Sequence, residues 1–463
     1  MGPSKSPFSP PRLFVALLVV LGTTYYLFHA PGQGILPSFK SDVVQLTPKE
    51  LFVKQMLEEE IDGPYNLEPL AALCRNKEQA PGLIIKCKAV PGGMGNVRNM
   101  MLNCYRFAIE AGGLSSGIIV PEIMKRGEDS LSNLFTDISY PFEHFFELPH
   151  FTTSFRTACP QIRLYDSQND LWDLPSTAKE HEVDPQSLSA KHHPVANTLI
   201  DEAGQWRGAF YKWLNETAPP FSESRPVLVS FPPQLLRFPF KYDTPEFVAT
   251  FGRLLLIRED VRKLAATVLY SLSSQYNLSL NLSGPIQQEK FYGAHLRTAS
   301  DAAAVGWPGY DMQATNYLNS ALASNLSLIY LTTGNPVDAA RFSETAASKG
   351  ITVTTKDALL AGEEFEFERE VMKRLSWDHL GMVDFDVLLR ASKFGGMFES
   401  SFSWNTALRR HVIVSGGSWQ EISPENQGVG EDDPACFDDA LSTVFGPQDM
   451  GGVRWQFPMG LYP

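Results

Sequence analysis

Between Leu83 and Pro121 the chain reads LIIKCKAVPGGMGNVRNMMLNCYRFAIEAGGLSSGIIVP, and its hydrophobic period changes twice. LIIKCKAV is a short apolar run of strand type. PGGMGN is a glycine loop, in which the backbone can approach a ligand closely. NVRNMMLNCYRFAIEAGG then places Val97, Met100, Met101, Cys104, Ala108 and Ala111 on one helical stripe, and Gly112-Gly113 stops it. SGIIVP is the next strand. Strand, loop, helix, strand is a βαβ unit, the building block of a parallel sheet.

The same alternation returns after the linker-like NLSLNLSGPIQQEK. KFYGAHLR (290–297) and NLSLIYLTTGN (325–335) read as strands, PVDAARFSETAASKG (336–350) as a helix, and ITVTTK as a strand. VDFDVLLRAS reads as a helix starting at Asp384, KFGGMF as a strand, SFSWNTALRR as a helix and HVIVSGG (411–417) as a last strand. Two βα series imply an α/β fold of two Rossmann-like domains facing a cleft. Ligands in such sheets bind beyond the carboxyl ends of the strands. The expected domains are 76–280, on the acceptor side, and 281–463, on the nucleotide side.

The composition fits a globular chain. Of 463 residues, 43% are hydrophobic and 11% aromatic, and the formal charge is −13. That charge excludes nucleic-acid binding over a broad surface, which needs a basic face. Lys5 and Arg12 precede a 16-residue apolar run, Leu13–Phe28. The reading is a cytosolic tail (1–12), a short transmembrane signal anchor (13–28) and a stem (29–75), with the bulk of the chain in the lumen. A cleaved signal peptide is the competing reading. Four N-x-S/T sequons, at Asn215, Asn277, Asn281 and Asn325, agree with luminal exposure as N-glycosylation sites. Five cysteines leave at least one unpaired, and Cys74 with Cys87 would close a short loop. The region 125–225 is irregular and holds His192-His193, which reads as a solvated loop pair rather than a metal site.

Three segments could carry chemistry. His295 and Arg297 stand two apart at a strand end, on one face, where they could grip an anion or form an ordinary polar strand end. Ser400-Ser401 stand where a strand gives way to a helix; they are a phosphate site or a plain N-cap. Asp384 is a helix cap or an acceptor for a base or ribose. Asp384 and Asp386 have D-x-D spacing, but Asp386 falls inside an apolar helical pattern, which speaks for capping over metal.

Taken together, GGMGN before a helix, FYGAHLR, and VDFDVLLRASKFGGMFESSFSWNTALRR resemble the O-fucosyltransferase family of GT-B glycosyltransferases. The likeness covers about 70 residues closely and in order. It implies a GDP-fucose donor and no bound metal or other cofactor. Arg297 would contact the β-phosphate and the leaving oxygen, and His295 would help hold the nucleotide. Asp384 would bind the guanine side; Ser400, Ser401 and Phe402 would cradle the diphosphate and base. Gly92, Gly93, Gly95 and Asn96 would line the donor and acceptor cleft, Asn96 orienting the reacting groups. The chain departs from the family at Gly93, where protein-modifying members carry arginine, and at Val97, where they carry glutamine.

The expected function is a luminal type II glycosyltransferase of the ER or Golgi membrane, transferring fucose from GDP-fucose to a protein or glycan. Two other readings stand beside it: a non-catalytic nucleotide-sugar or glycan-binding protein, and a transferase using a different GDP-sugar.

Overall fold

The computed structural model describes residues 46–463 apart from 60, 62, 113–116, 128–132, 192–197, 234, 285, 423–433 and 447–455. The expected anchor at 13–28, the His192-His193 pair and Gly113 therefore lie outside the described residues. No helix among the described residues is long and apolar enough to cross a membrane.

Within Pro48–Pro463, two helices, α1 (Pro48–Glu58) and α2 (Glu68–Asn76), come first. α1 packs on a later helix through Phe52 and Tyr270, whose ring centroids are 5.6 Å apart. The first half continues with β1 (Leu83–Cys87), α3 (Met94–Ala111), β2 (Gly117–Ile119), the small hairpin β3 (Ile123–Met124) and β4 (Ser139–Tyr140), and α4 (Leu148–Ala158). Then come β5 (Leu164–Tyr165), β6 (Glu180–Glu182), α5 (Ala203–Thr217), β7 (Val227–Phe231), α6 (Pro245–Phe251) and α7 (Glu259–Gln275). These strands form a five-stranded sheet in the order β5-β2-β1-β7-β6, with every neighbour parallel.

The second half contains β8 (Tyr292–His295), α8 (Ser300–Ala304), α9 (Tyr310–Ala323), β9 (Leu328–Thr332), α10 (Pro336–Ala347), β10 (Thr352–Thr354) and α11 (Lys356–Leu359). It ends with α12 (Glu366–Arg374), α13 (Trp377–Leu389), β11 (Lys393–Met397), α14 (Ser401–Val414), β12 (Ala435–Asp438), β13 (Ser442–Phe445) and α15 (Gln456–Gly460). Its six-stranded sheet runs β10-β9-β8-β11-β13-β12, parallel except for the last pair.

α3 explains how the halves join. Almost every one of its residues is buried, because β1 covers one side while α13 and α14 cover the other. Its buried charged residues are all bonded. Arg98 donates to Asn405 Oδ1 (2.9 Å) and to the carbonyls of Tyr462 and Pro463. Arg106 pairs with Asp243 (2.7 Å) and Glu110 (2.9 Å). Gly112, at φ +78°, caps the helix by returning its amide to Ala108 and Ile109.

Three sequence expectations are corrected. HVIVSGG is no strand: His411–Val414 is the last turn of α14, ended by Gly416 and Gly417 at φ +72° and +86°. Trp404, Ala407, Leu408, His411 and Val412 keep a helical buried stripe that overrides the local β preference. Asp384 does not start a helix. α13 starts seven residues earlier, capped by the Ser376 hydroxyl. Cys74 does not pair with Cys87. Cys74, on α2, reaches Cys159 at the end of α4, and Cys87, ending β1, reaches Cys104 on the helix above it; Cys436 is buried and in neither disulfide.

Candidate functional site

β8 leads to β9 and β10 on one side of the sheet, and β11 lies on its other side. The gap beyond the carboxyl ends of β8 and β11 is thus a topological switch point, the favoured ligand position of such sheets. A cleft of about 830 Å³ opens there and is closed from the first half by the loop after β1. The cleft brings together Gly93, Gly95, Asn96, His295, Arg297, Asp384, Ser400, Ser401 and Phe402. Gly92 stands behind it and makes the turn at φ +106°.

Arg297 follows β8 into the cleft. Its Nη2 pairs with Asp301 one helical turn on, and its guanidinium lies over Trp307 (5.8 Å) and Trp377 (5.3 Å). Its Nη1 is buried and has no hydrogen-bond partner among the described residues. A buried charged donor left unmet is costly, so this nitrogen is ready for an anion. Burial pushes the Asp301 carboxyl up, but the bonded Arg297 outweighs it and holds the group below the usual carboxylate range.

His295 does not share that task as a cation. Its ring is buried, with Nδ1 2.9 Å from Ser403 Oγ and Phe402 packed against it at 4.5 Å. Desolvation, reinforced by the Arg297 charge, holds its pKa down at about 3, so the ring is neutral at physiological pH. It positions Ser403, which also accepts the Met397 amide at 3.1 Å and so secures the turn from β11 into α14.

That turn supplies the other anion-binding element. Ser400 caps α14, its hydroxyl accepting the Ser403 amide at 3.4 Å, and Ser401 and Phe402, in the first turn with its amides outside the helical ladder, line the cleft. Asn96, in the first turn of α3, lines the opposite wall and makes no side-chain hydrogen bond to a described residue.

Asp384 lines the cleft with its carboxylate engaged by neighbouring side chains. Its Oδ1 accepts the Tyr330 hydroxyl and its Oδ2 the Lys356 ammonium, both at 2.6 Å. Burial pushes its carboxyl above the usual range, with Lys356 pulling it back. Both oxygens are therefore committed within the cleft wall. Asp386 lines a separate cavity of about 100 Å³ on the other side of α13, so the D-x-D pair does not converge. Among the described residues no cluster of three or more His, Cys, Asp or Glu side chains could hold a metal ion.

Sequence reasoning missed Arg126, Trp377 and Asp378. Arg126, just after β3, reaches across to Asp378 on α13 with Nε and Nη2 at 3.2 and 3.3 Å from its two carboxylate oxygens. No motif marks Arg126 in the chain, because it comes from the irregular stretch. Ser376-Trp377-Asp378 carried a signal, a serine N-cap before an acidic first turn. The four sequon asparagines, Asn215, Asn277, Asn281 and Asn325, are all exposed.

No family model matches the chain, and no curated protein sequence does. Solved structures do. POFUT1 in complex with GDP-fucose is 14% identical, with 72% of this chain and 96% of that one covered and a TM-score of 0.43. A mutant of Arabidopsis thaliana FUT1 in complex with GDP is 11% identical, covering 88% and 79%, with a TM-score of 0.36. The fucosyltransferase NodZ from Bradyrhizobium is 13% identical, covering 71% and 93%, with a TM-score of 0.35. The mixed α/β course of this chain, with its parallel sheets, is similar to theirs.

Proposed function

We propose that this chain is a glycosyltransferase that takes fucose from GDP-fucose to a protein or glycan acceptor. The observation that carries the reading is the buried, unpartnered Nη1 of Arg297, set at the switch point beside the open N-terminus of α14. In the reaction the bond between the sugar C1 and the β-phosphate oxygen breaks, and its electron pair goes to that oxygen. Arg297 and the α14 amides meet the charge that develops there. The acceptor oxygen attacks C1 from the opposite face of an oxocarbenium-like sugar, and its proton leaves through water to end on the released diphosphate or in the buffer, with Asn96 orienting the reacting groups. The residues supply this charge stabilisation without a bound metal or other cofactor. Gly92 and Gly93 shape the loop that admits the sugar, and Ser400, Ser401 and Phe402 border the diphosphate. Lys356 and Asp384 form one floor of the base pocket.

The two disulfides favour an oxidising compartment. They fit a chain held at the ER or Golgi membrane by its residues 13–28, with the cleft in the lumen.

A non-catalytic GDP-sugar-binding protein is the second reading. It is favoured by the engagement of Asp301, Asp378 and Asp384 in ion pairs, which leaves none of these three carboxylates available as a base.

Calorimetric titration with GDP, UDP and GDP-fucose, in the absence of metal, tests the donor class. GDP and GDP-fucose should bind and UDP should not; no binding of any of them overturns the reading. Turnover of GDP-fucose with survival in EDTA separates the transferase from the binding protein.

A further inference from the structure

We infer that Arg126 is the second jaw of a diphosphate clamp, facing Arg297 across Trp377 and standing in the space that Gly93 leaves open. The inference rests on the GDP-sugar reading for its nucleoside, but not for its diphosphate.

Four observations converge. The two guanidiniums share one aromatic ring: Arg126 lies 5.0 Å and Arg297 5.3 Å from Trp377. They also share one carboxylate oxygen. Asp301 Oδ2 is bonded to Arg297 Nη2 and lies 3.7 Å from Arg126 Nη1. Both side chains are nearly buried, at 10% and 13% exposure. Two like charges held this close, away from water, need anions beside them; Asp301 and Asp378 supply two, and Arg297 Nη1 stays unmet among the described residues. A β-carbon added at Gly93 would sit 3.0 Å from Arg126 Nη2 and 3.4 Å from Asp378 Oδ1. A side chain at 93 and the Arg126 guanidinium thus compete for one volume.

The backbone fixes this arrangement. Val90, two residues before Gly92, bridges to Ile123, with Val90 N on Glu122 O at 3.0 Å and Met124 N on Val90 O at 2.9 Å. The glycine loop and Arg126 therefore leave from one zipped segment. Asp378 holds the guanidinium through two long contacts. Contacts of 3.2 and 3.3 Å are longer than the roughly 2.7–2.9 Å of a tight charge-assisted bond. A diphosphate entering between the arginines would take the unmet Arg297 Nη1 on one side and draw Arg126 from Asp378 on the other. The first half of the chain would then close on the ligand through Arg126.

The test is titration of the full-length protein with inorganic diphosphate, GDP and GMP. Arg126→Ala should weaken diphosphate and GDP by about tenfold to a hundredfold and leave GMP unchanged. Gly93→Arg in the Arg126→Ala background should restore part of the loss, because the new guanidinium enters the same volume. Equal losses for GDP and GMP would mean that Arg126 only supports the fold, and unchanged GDP affinity would mean that it touches no phosphate; either overturns the inference. If Arg126→Ala does not fold, Arg126→Lys decides: it keeps a charge but loses the fork, so the GDP-to-GMP preference should still fall. Wild-type protein that binds diphosphate but not GDP would sink the guanosine reading and leave the clamp. Wild-type protein that binds neither would sink both.

Discussion

A β-carbon on Gly95 would lie 2.8 Å from the Ser401 hydroxyl and 3.0 Å from the Phe402 amide nitrogen. The glycine loop of one half thus rests on the first turn of α14 in the other, backbone on backbone. The Gly95 carbonyl accepts from Asn99 at 2.8 Å and Asn405 at 3.4 Å, and so ties α3 to α14. Gly95→Ala must part these elements. It should cost about 1–3 kcal/mol, as overpacking does, and weaken GDP binding together with stability. Thermal melting and titration of the same sample check it; a variant unchanged in both would show that the close approach is not required.

Arg297→Ala should lower transfer at least about 10²-fold, the usual loss for a donor aimed at developing charge, in a protein that still folds, with the melting temperature lowered because Asp301 loses its partner. The side chain sits in a cleft rather than a packed core, so its removal leaves the fold's apolar contacts in place. Full activity in the folded variant would remove Arg297 from the mechanism.

Asp384 and Lys356 should behave as a coupled pair. Asp384→Asn leaves a buried ammonium without its counter-charge, which typically costs about 3–5 kcal/mol. Lys356→Met with Asp384→Leu removes both charges and should recover most of that loss. Denaturant unfolding of the two single variants and the double variant gives the coupling. Additive losses would contradict the ion pair.

The βα alternation was legible because strands such as Leu328–Thr332 and helices such as Pro336–Ala347 carry their own period and caps. The cleft glycines and Arg297 could be read for the same local reason. Asp384 could not be placed, since its partners Tyr330 and Lys356 are 54 and 28 residues away and meet it only through the sheet. Arg126 was invisible in the same way: what defines it is Asp378, 252 residues on. The strand Val227–Phe231 was passed over, although it lies beside β1 in the first sheet, because irregular chain surrounds it. Cysteine pairing depended on which helix covers which strand, and spacing does not reveal that.

The two disulfides should differ in weight. Cys74–Cys159 spans 85 residues and Cys87–Cys104 spans 17. Loop-closure entropy assigns them about 4.5 and about 3 kcal/mol. Replacing Cys74 and Cys159 by serine should therefore lower the unfolding midpoint more than replacing Cys87 and Cys104. Peptide mapping without reductant checks the pairing itself, and a Cys74–Cys87 peptide would contradict it.

His295 should make the protein acid-sensitive above the range where carboxylates titrate. Its folded pKa is about 3, against about 6.5 for an unfolded histidine. Between those values the unfolded chain binds a proton that the folded one refuses. Stability is therefore complete above about pH 6.5 and falls as pH drops, by about 1.4 kcal/mol per unit for this one group. His144, held at about 4 by burial and by His379, adds to the slope in the same direction. His295→Gln stays neutral at every pH. Its unfolding free energy should be lower at pH 7, where the Ser403 contact is weakened, yet fall less steeply between pH 6 and 4.5. Chemical denaturation of both proteins across that window measures the two slopes. Equal slopes would mean that the ring takes up its proton in the folded state, and that His295 stands beside Arg297 as a second cation.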